Sequence, residues 1–251
     1  MNAMRLRPVV RTSLADAVFE QLSEEIVHGA MAPGTALPSE RALCDMLDVN
    51  RGAVREALKR LAQAGLIATS HGGGTRVLNF RKTSSLDLLS RLLFRPDDTV
   101  DLDVARSVME MRAAMAPDIA RLCARRADPK VTSRLAQIVV EMSEKPDDLV
   151  ALQTLALDFW DELVTGSRNI AYRLAFNSLR HTYDQLRELL VAVMGDELRD
   201  LASYRSIADA VRRGDDLSAT HVARALMERG SAAVYELLAA IRESDQAKED
   251  A

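Results

Sequence analysis

Apolar residues recur at Leu14, Val18, Leu22 and Ile26, a spacing that puts one oily face along a helix. Thr12 or Ser13 stands where the N-cap belongs. His28-Gly29 stops the pattern, and Met31 to Thr35 reads as a turn. Pro38-Ser39 opens a second helix with Leu43, Met46 and Leu47 as its core face. Asp48-Val49 is a tight turn, Asn50 caps a third helix, and Val54, Leu58 and Leu61 form its inner stripe. Gly65 falls where a left-handed C-terminal residue is wanted. Two short strands follow, 66–69 and 75–78, joined by Ser70-His71-Gly72-Gly73-Gly74. Helix, turn, helix and glycine-tipped hairpin together predict a winged helix-turn-helix.

Polar residues 79–85 separate this pattern from a second one that is helical throughout. Its segments are 86–94, 101–126, 129–143, 147–165, 169–194, 196–213 and 216–242. Pro96, Pro129, Pro146, Gly166 and Gly214 stand at or near the breaks, and Pro117 predicts a kink inside its helix. The expected fold is mainly α: an N-terminal winged helix-turn-helix plus a C-terminal all-α bundle of about seven helices. The expected organisation is a mobile arm over 1–11, the winged domain over 12–78, a linker over 79–85, a helical domain over 86–243 and a disordered tail over 244–251.

Composition sharpens this picture. Aromatics are only 4% of the 251 residues, which favours helices over strands. No apolar run reaches the roughly 18 residues that span a bilayer. The N-terminal arm is basic but has no apolar core, so it does not read as a secretory signal. Cys44 and Cys123 lie on apolar helix faces and read as reduced buried thiols, which fits a cytoplasmic protein. The net charge of −4 argues against nucleic acid only when taken whole. Residues 1–80 carry nine Lys/Arg against eight Asp/Glu, and Arg51, Arg55, Lys59 and Arg60 crowd ten positions that hold one acid, Glu56. A basic patch on a near-neutral domain, joined to an acidic one, suits specific DNA binding.

Arg51, Arg55 and Lys59 recur every four residues and make one stripe, turned away from the apolar one. A major groove about 12 Å wide admits such a helix, and an arginine near its start can pair with guanine O6 and N7. Gly52 permits close approach to the phosphate backbone, and the helix start offers free N–H groups to a phosphate. At the hairpin tip, His71 and Gly72 are placed to reach a minor groove. The histidines, His28, His71, His181 and His221, form no metal-ligand spacing. The chain carries no nucleophile elbow, P-loop or dinucleotide fingerprint, so an enzyme is not expected.

The stretch closely resembles the GntR superfamily of bacterial transcription factors. The matching residues are Leu37-Pro38-Ser39-Glu40-Arg41, Val49-x-Arg51, Val54-Arg55-Glu56-Ala57-Leu58, Arg60-Leu61, Gly65-Leu66-Ile67 and Gly72-x-Gly74-Thr75-x-Val77. Asn50 departs from the usual Ser or Thr but caps equally well. The resemblance implies that Arg41, Arg51 and Arg55 contact a double-stranded operator, with Asn50, Gly52, Lys59, His71 and Gly72 completing the interface. It also implies a cytoplasmic homodimer, nucleoid-associated when bound, with no membrane partner.

Length and helical content are similar to the FadR branch. One subgroup of that branch holds a metal through an Asp and three His. Anchored on Asn169, the Asp position falls on Ala156 and the first His on Trp160. The second falls on Tyr204, and the third lies between Leu226 and Gly230, where there is no His. No metal and no other cofactor is therefore expected. The wing and linker, from His71-Gly72 through Thr83-Ser84-x-Leu86-x-x-Leu89, resemble the fatty-acid regulator FadR. The resemblance implies a regulator of fatty-acid metabolism released from a palindromic operator by a long-chain acyl-CoA, with Trp160, Tyr204 and Gly230 at the effector site. The alternative is a metal-independent regulator that answers to a small organic acid or another metabolite.

Overall fold

The computed structural model describes residues 13–70, 74–95, 97 and 99–249; the expected arm and the wing-tip residues His71 and Gly72 lie outside them. The chain divides into two compact units, Met1–Thr99 and Val100–Ala251.

The first unit opens with α1 (Leu14–Val27). Ser13 is its cap, and it forms a reciprocal box with Asp16: Asp16 N–H donates to Ser13 Oγ and Ser13 N–H donates to Asp16 Oδ2, each at 3.1 Å. Val18, Phe19, Leu22 and Ile26 are buried, but Leu14, in the first turn, is 54% exposed. Helix α2 (Glu40–Leu47) is capped by Ser39 and ends at Asp48 in the left-handed region, φ 50°. Only a narrow stripe of this short helix faces inward. Leu43 is buried, while Met46, expected in the core, lies on the rim and is 70% exposed. Asn50 Oδ1 accepts the Ala53 N–H at 2.9 Å and starts α3 (Arg51–Gln63).

Strands β1 (Ile67–Ser70) and β2 (Gly74–Val77) pair antiparallel, with Ile67 opposite Val77 and Thr69 opposite Thr75. The supposed turn before α2 does more than turn. Leu37 N–H donates to Thr75 O at 2.8 Å, Val77 N–H donates to Thr35 O at 2.9 Å, and Ala36 bridges Arg76. Residues 34–37 thus edge the wing as an added strand segment. The core of the unit is Val18, Phe19, Leu22, Ile26, Leu43, Val54, Ala57, Leu61, Leu66, Ile67 and Val77.

The expected linker is part of this unit. It forms α4 (Phe80–Thr83), and Thr83 Oγ1 and Ser84 Oγ donate to the carbonyls of Gly65 and Ala64, each at 2.7 Å. These bonds satisfy carbonyls that the end of α3 leaves open. Gly65 has φ +73°, and a Cβ there would overlap the Thr83 backbone. The next segment, a 3-10 turn Leu86–Leu88 and α5 (Leu89–Leu92), belongs here as well: Leu88 lies in the winged core and Arg91 pairs with Glu20.

The second unit contains α6 (Leu102–Arg126), α7 (Pro129–Ser143), α8 (Leu149–Ser167) and α9 (Ile170–Gln185). It continues with α10 (Arg187–Val193), α11 (Gly195–Arg199), α12 (Leu201–Arg213) and α13 (Asp216–Glu249). Two expected helices are each split, at Leu186 and at Asp200, where the backbone leaves helical geometry. Helix α13 runs to Glu249, so residues 244–249 of the expected tail are helical. Pro117 is buried within α6, which remains one element. Gly166 stands near the break, one residue before the end of α8. It lies inside α8, where a Cβ would overlap Cys123 Sγ and stand 2.8 Å from Val131 Cγ1, so its bareness lets α8 approach α6 and α7. The left-handed residue that ends α8 is Arg168, φ 49°.

The bundle core is aliphatic around three aromatic rings. Phe159 and Tyr204 are fully buried, and their rings meet edge to face at 5.1 Å, with Trp160 against Phe159 at 6.4 Å. Cys123 is buried and free, and burial pushes its thiol up to about 12; Cys44 is half-buried and free.

Candidate nucleic-acid interface and effector site

Helix α3 has two faces. Val54, Ala57 and Leu61 are fully buried, which anchors the helix on α1 and the sheet. Arg51, Gly52, Arg55, Glu56 and Lys59 are exposed on the opposite face. Gly52 has a second reason to be bare, because a Cβ there would press on the capping Asn50 Oδ1 at 3.1 Å. Arg41, on α2, is also exposed. Arg55 Nε donates to Glu40 Oε2 at 2.9 Å, and that hydrogen bond raises its already high pKa. The pair ties α2 to α3 while the Arg55 side chain stays 70% exposed.

Arg60 shares the helix but not the surface. It pairs with Asp16 and lies 4.5 Å from the centre of the Phe19 ring. Arg91 reaches the same ring at 4.7 Å. The Ser13 hydroxyl first, and then Arg60, holds the Asp16 carboxyl down at about 2. In the wing, Thr69 and Thr75 hydroxyls meet at 3.2 Å across the strands, and Arg76 Nη1 donates to Gly34 O at 2.9 Å.

In the second unit, Tyr204 and Gly230 converge on a residue that the sequence reading missed. Glu197, on the short helix α11, is buried and paired with Arg112 of α6. Its carboxyl lies where a Gly230 side chain would be: a Cβ there would stand 2.7 Å from Glu197 Cδ. Burial pushes the Glu197 carboxyl up, and Arg112 opposes that rise. Burial acts to lower the Arg112 pKa, but the Glu197 carboxylate outweighs it and the net shift is upward. Tyr204, wholly buried, is raised well above its usual range, first by burial and then by the Glu197 charge. Nearby, Gln153 Nε2 donates to the Tyr183 hydroxyl at 3.0 Å and Arg187 Nε donates to Gln153 Oε1 at 3.0 Å.

Arg112 Nη1, Glu197 Oε2, the Tyr204 hydroxyl and Ser231 Oγ are buried and have no hydrogen-bond partner among the described residues. Each such atom costs about 1–3 kcal/mol. Trp160 Nε1 is in the same state, but its ring reaches the cluster only through Phe159. Arg112 and Glu197 were legible in principle. Each interrupts an apolar stripe, Ala105, Met109, Ala116 in one case and Leu190, Met194, Leu198 in the other. Among the described residues no cluster of His, Cys, Asp or Glu could hold a metal, and His28, His181 and His221 are exposed.

Comparison with known proteins adds to this geometry. The family model "Bacterial regulatory proteins, gntR family" matches residues 14–77, and that of the FCD domain matches residues 107–229. The HTH-type transcriptional regulator Mce2R of Mycobacterium tuberculosis is 39% identical over 235 residues, 94% of this chain and 97% of that protein. The fatty acid metabolism regulator protein of Pectobacterium atrosepticum is 28% identical over 205 residues, 77% of this chain and 84% of its own length. Among solved structures, the Listeria monocytogenes regulator Lar has a TM-score of 0.55 at 16% identity, covering 90% of this chain and 99% of that one. This last similarity is one of fold. No helix among the described residues is long and apolar enough to cross a membrane.

Proposed function

The chain belongs to the gntR family of bacterial regulatory proteins, and on that premise we propose that it is a homodimeric, cytoplasmic regulator whose hold on a palindromic operator is set by an acyl-CoA. The exposed stripe Arg51, Arg55 and Lys59, carried on a helix whose other face is fully buried, supports the DNA-reading half. A rigid helix can present arginines to guanine edges without paying for its own ordering. Arg41 and Asn50 flank the helix start, with Gly52 beneath it, and His71 and Gly72 of the wing tip are assigned to the minor groove. Two copies of α3 would enter successive major grooves, about 34 Å apart, of one face of the duplex.

The acyl-CoA half rests on the buried polar cluster of the second unit, set in an aliphatic and aromatic core. Arg112 and the Tyr204 hydroxyl offer donors that a thioester or amide carbonyl could take up, and the apolar surroundings suit a hydrocarbon. The relative named as a fatty acid metabolism regulator points the same way. Ligand binding releases the operator only if it favours one of two arrangements of the protein. Helix α11, five residues carrying Glu197 against Gly230, is the element a ligand would displace. The Arg112–Glu197 pair, its carboxylate buried, also favours a second reading, a small organic acid whose carboxylate would replace Glu197 on Arg112.

A gel-shift titration on an operator from the chain's own upstream region separates the readings. Acyl-CoA should weaken the complex while a small carboxylate does nothing; the reverse result would establish the second reading. Elemental analysis of the purified protein should find no stoichiometric metal in either case.

A further inference from the structure

One of the exposed cations of the winged unit is tethered. Arg41, Arg51, Arg55 and Lys59 are all exposed on α2 and α3. Among the described residues Arg41, Arg51 and Lys59 form no ion pair, whereas Arg55 is held by Glu40. Both ends of that pair stand on fixed backbone. Glu40 is the first residue of α2, beside the cap Ser39, whose Oγ accepts the Ala42 N–H at 3.2 Å. Arg55 follows the fully buried Val54 on α3. Stability gives no reason for the pair. The side chains of Arg55 and Glu40 are 70% and 42% exposed, and an ion pair so open to water adds little to folding. A carboxylate at this place also repels any phosphate that comes near it.

The geometry of the bond does give a reason. A guanidinium is planar and carries its N–H donors in a rigid fork. Glu40 Oε2 takes the Nε end at 2.9 Å. Nη1 and Nη2 are left as the open edge, and a pair of N–H groups so placed matches guanine O6 and N7. We propose that Glu40 is a positioning residue that sets the selectivity of operator reading: it aims the open edge of Arg55 at a guanine and penalises DNA that has no guanine there. The inference rests on the operator-reading half of the function proposed above. A free arginine facing the wrong sequence would swing to the nearest phosphate. A tethered one gives up Glu40 to do so, and leaves that carboxylate facing the backbone. On the right sequence the side chain is ordered before it binds, so the complex escapes the cost of fixing a long side chain.

The test titrates full-length variants against the operator from the upstream region and against a random duplex of equal length, with a thermal melt of each protein. Glu40→Ala should weaken operator binding roughly threefold to tenfold, tighten binding to the random duplex and leave the melt where it was. Glu40→Gln keeps an acceptor at the same reach without the charge. It should restore operator binding, while its hold on random DNA falls off more steeply with salt, by up to about one unit of log–log slope. Arg55→Ala should lose the guanine preference, and adding Glu40→Ala to it should cost the operator complex nothing further. Losses that simply add in the double variant would overturn the inference. So would a Glu40→Ala protein that loses operator and random DNA in equal proportion along with its melting temperature. An Arg55→Ala protein that binds the operator as wild type does would overturn the reading of α3 itself.

Discussion

The two units put their cations to opposite use. In the winged unit Arg51, Arg55 and Lys59 are held out to solvent on a helix anchored by fully buried aliphatic residues. In the helical unit Arg112 is half-buried and turned onto the buried Glu197, among polar atoms without a partner among the described residues. The difference is one of coupling. Where the chemistry is outside and the scaffold inside, a side chain can be changed at the cost of binding alone. Where the chemistry is inside, binding and stability are properties of the same atoms. A regulator needs both arrangements: a reader that does not deform, and a sensor that does.

This contrast can be broken by experiment, and the largest effect belongs to the core. Phe159 is fully buried and touches both Trp160 and Tyr204, so Phe159→Ala should cost about 3–5 kcal/mol. Trp160 is the chain's single tryptophan, so its fluorescence in a denaturant titration follows the helical unit directly. A variant with unchanged midpoint would remove the aromatic core from the account. Next comes Gly230→Ala, whose methyl would overlap the Glu197 carboxylate. It should cost about 1–3 kcal/mol of stability and also change the ligand response, since both reside in one cluster. Normal stability together with normal induction would uncouple what the comparison joins.

Arg51→Ala tests the other side. It should weaken specific operator binding by about 1–3 kcal/mol and leave the melting temperature where it was. A loss of stability in place of affinity would make Arg51 a structural residue. Asn50→Ala is smaller, about 1 kcal/mol, because it removes one cap from α3; circular dichroism melts would register it. The smallest effect is acidic. The folded-state pKa of Asp16 is held at about 2, below its ordinary 3.8, so its contribution is present above the ordinary value and is lost as pH falls through about 2. Asp16→Asn should therefore flatten the acid limb of the stability profile in that window and leave neutral pH nearly unchanged in slope.

The two units also differed in how legible they were. The winged unit could be read nearly whole, because its signals are local: a cap, a period, a left-handed glycine, a hairpin. What escaped was non-local. Residues 31–35 look like a turn until Thr75 and Val77 supply hydrogen bonds to 34–37, and 79–85 look like a linker until Thr83 and Ser84 dock; the helical segment after it joins the winged core through Leu88. Met46 fits the helical period and still faces solvent, since among the described residues this two-turn helix buries only Leu43. In the helical unit periodicity found the helices but not their breaks at Leu186 and Asp200. Gly166 does stand near a break, one residue before the end of α8, but its role as a point of close approach is visible only in the packed bundle. Of the three residues assigned to the effector site by resemblance, Tyr204 and Gly230 meet around Glu197, and Trp160 joins only through Phe159. Arg112 and Glu197 carry no motif, and their pairing across α6 and α11 is visible only once the bundle is folded.

The hydroxyls of Thr83 and Ser84 on the end of α3 bear on where this protein can be divided. A fragment cut after Val77, at the visible end of the wing, would strip the Gly65 and Ala64 carbonyls of their donors and leave the Phe19 ring without Arg91 and the core without Leu88. A fragment carried through Thr99 keeps all of them. The independent reading head is thus longer than its motif, and limited proteolysis should release it at the later boundary.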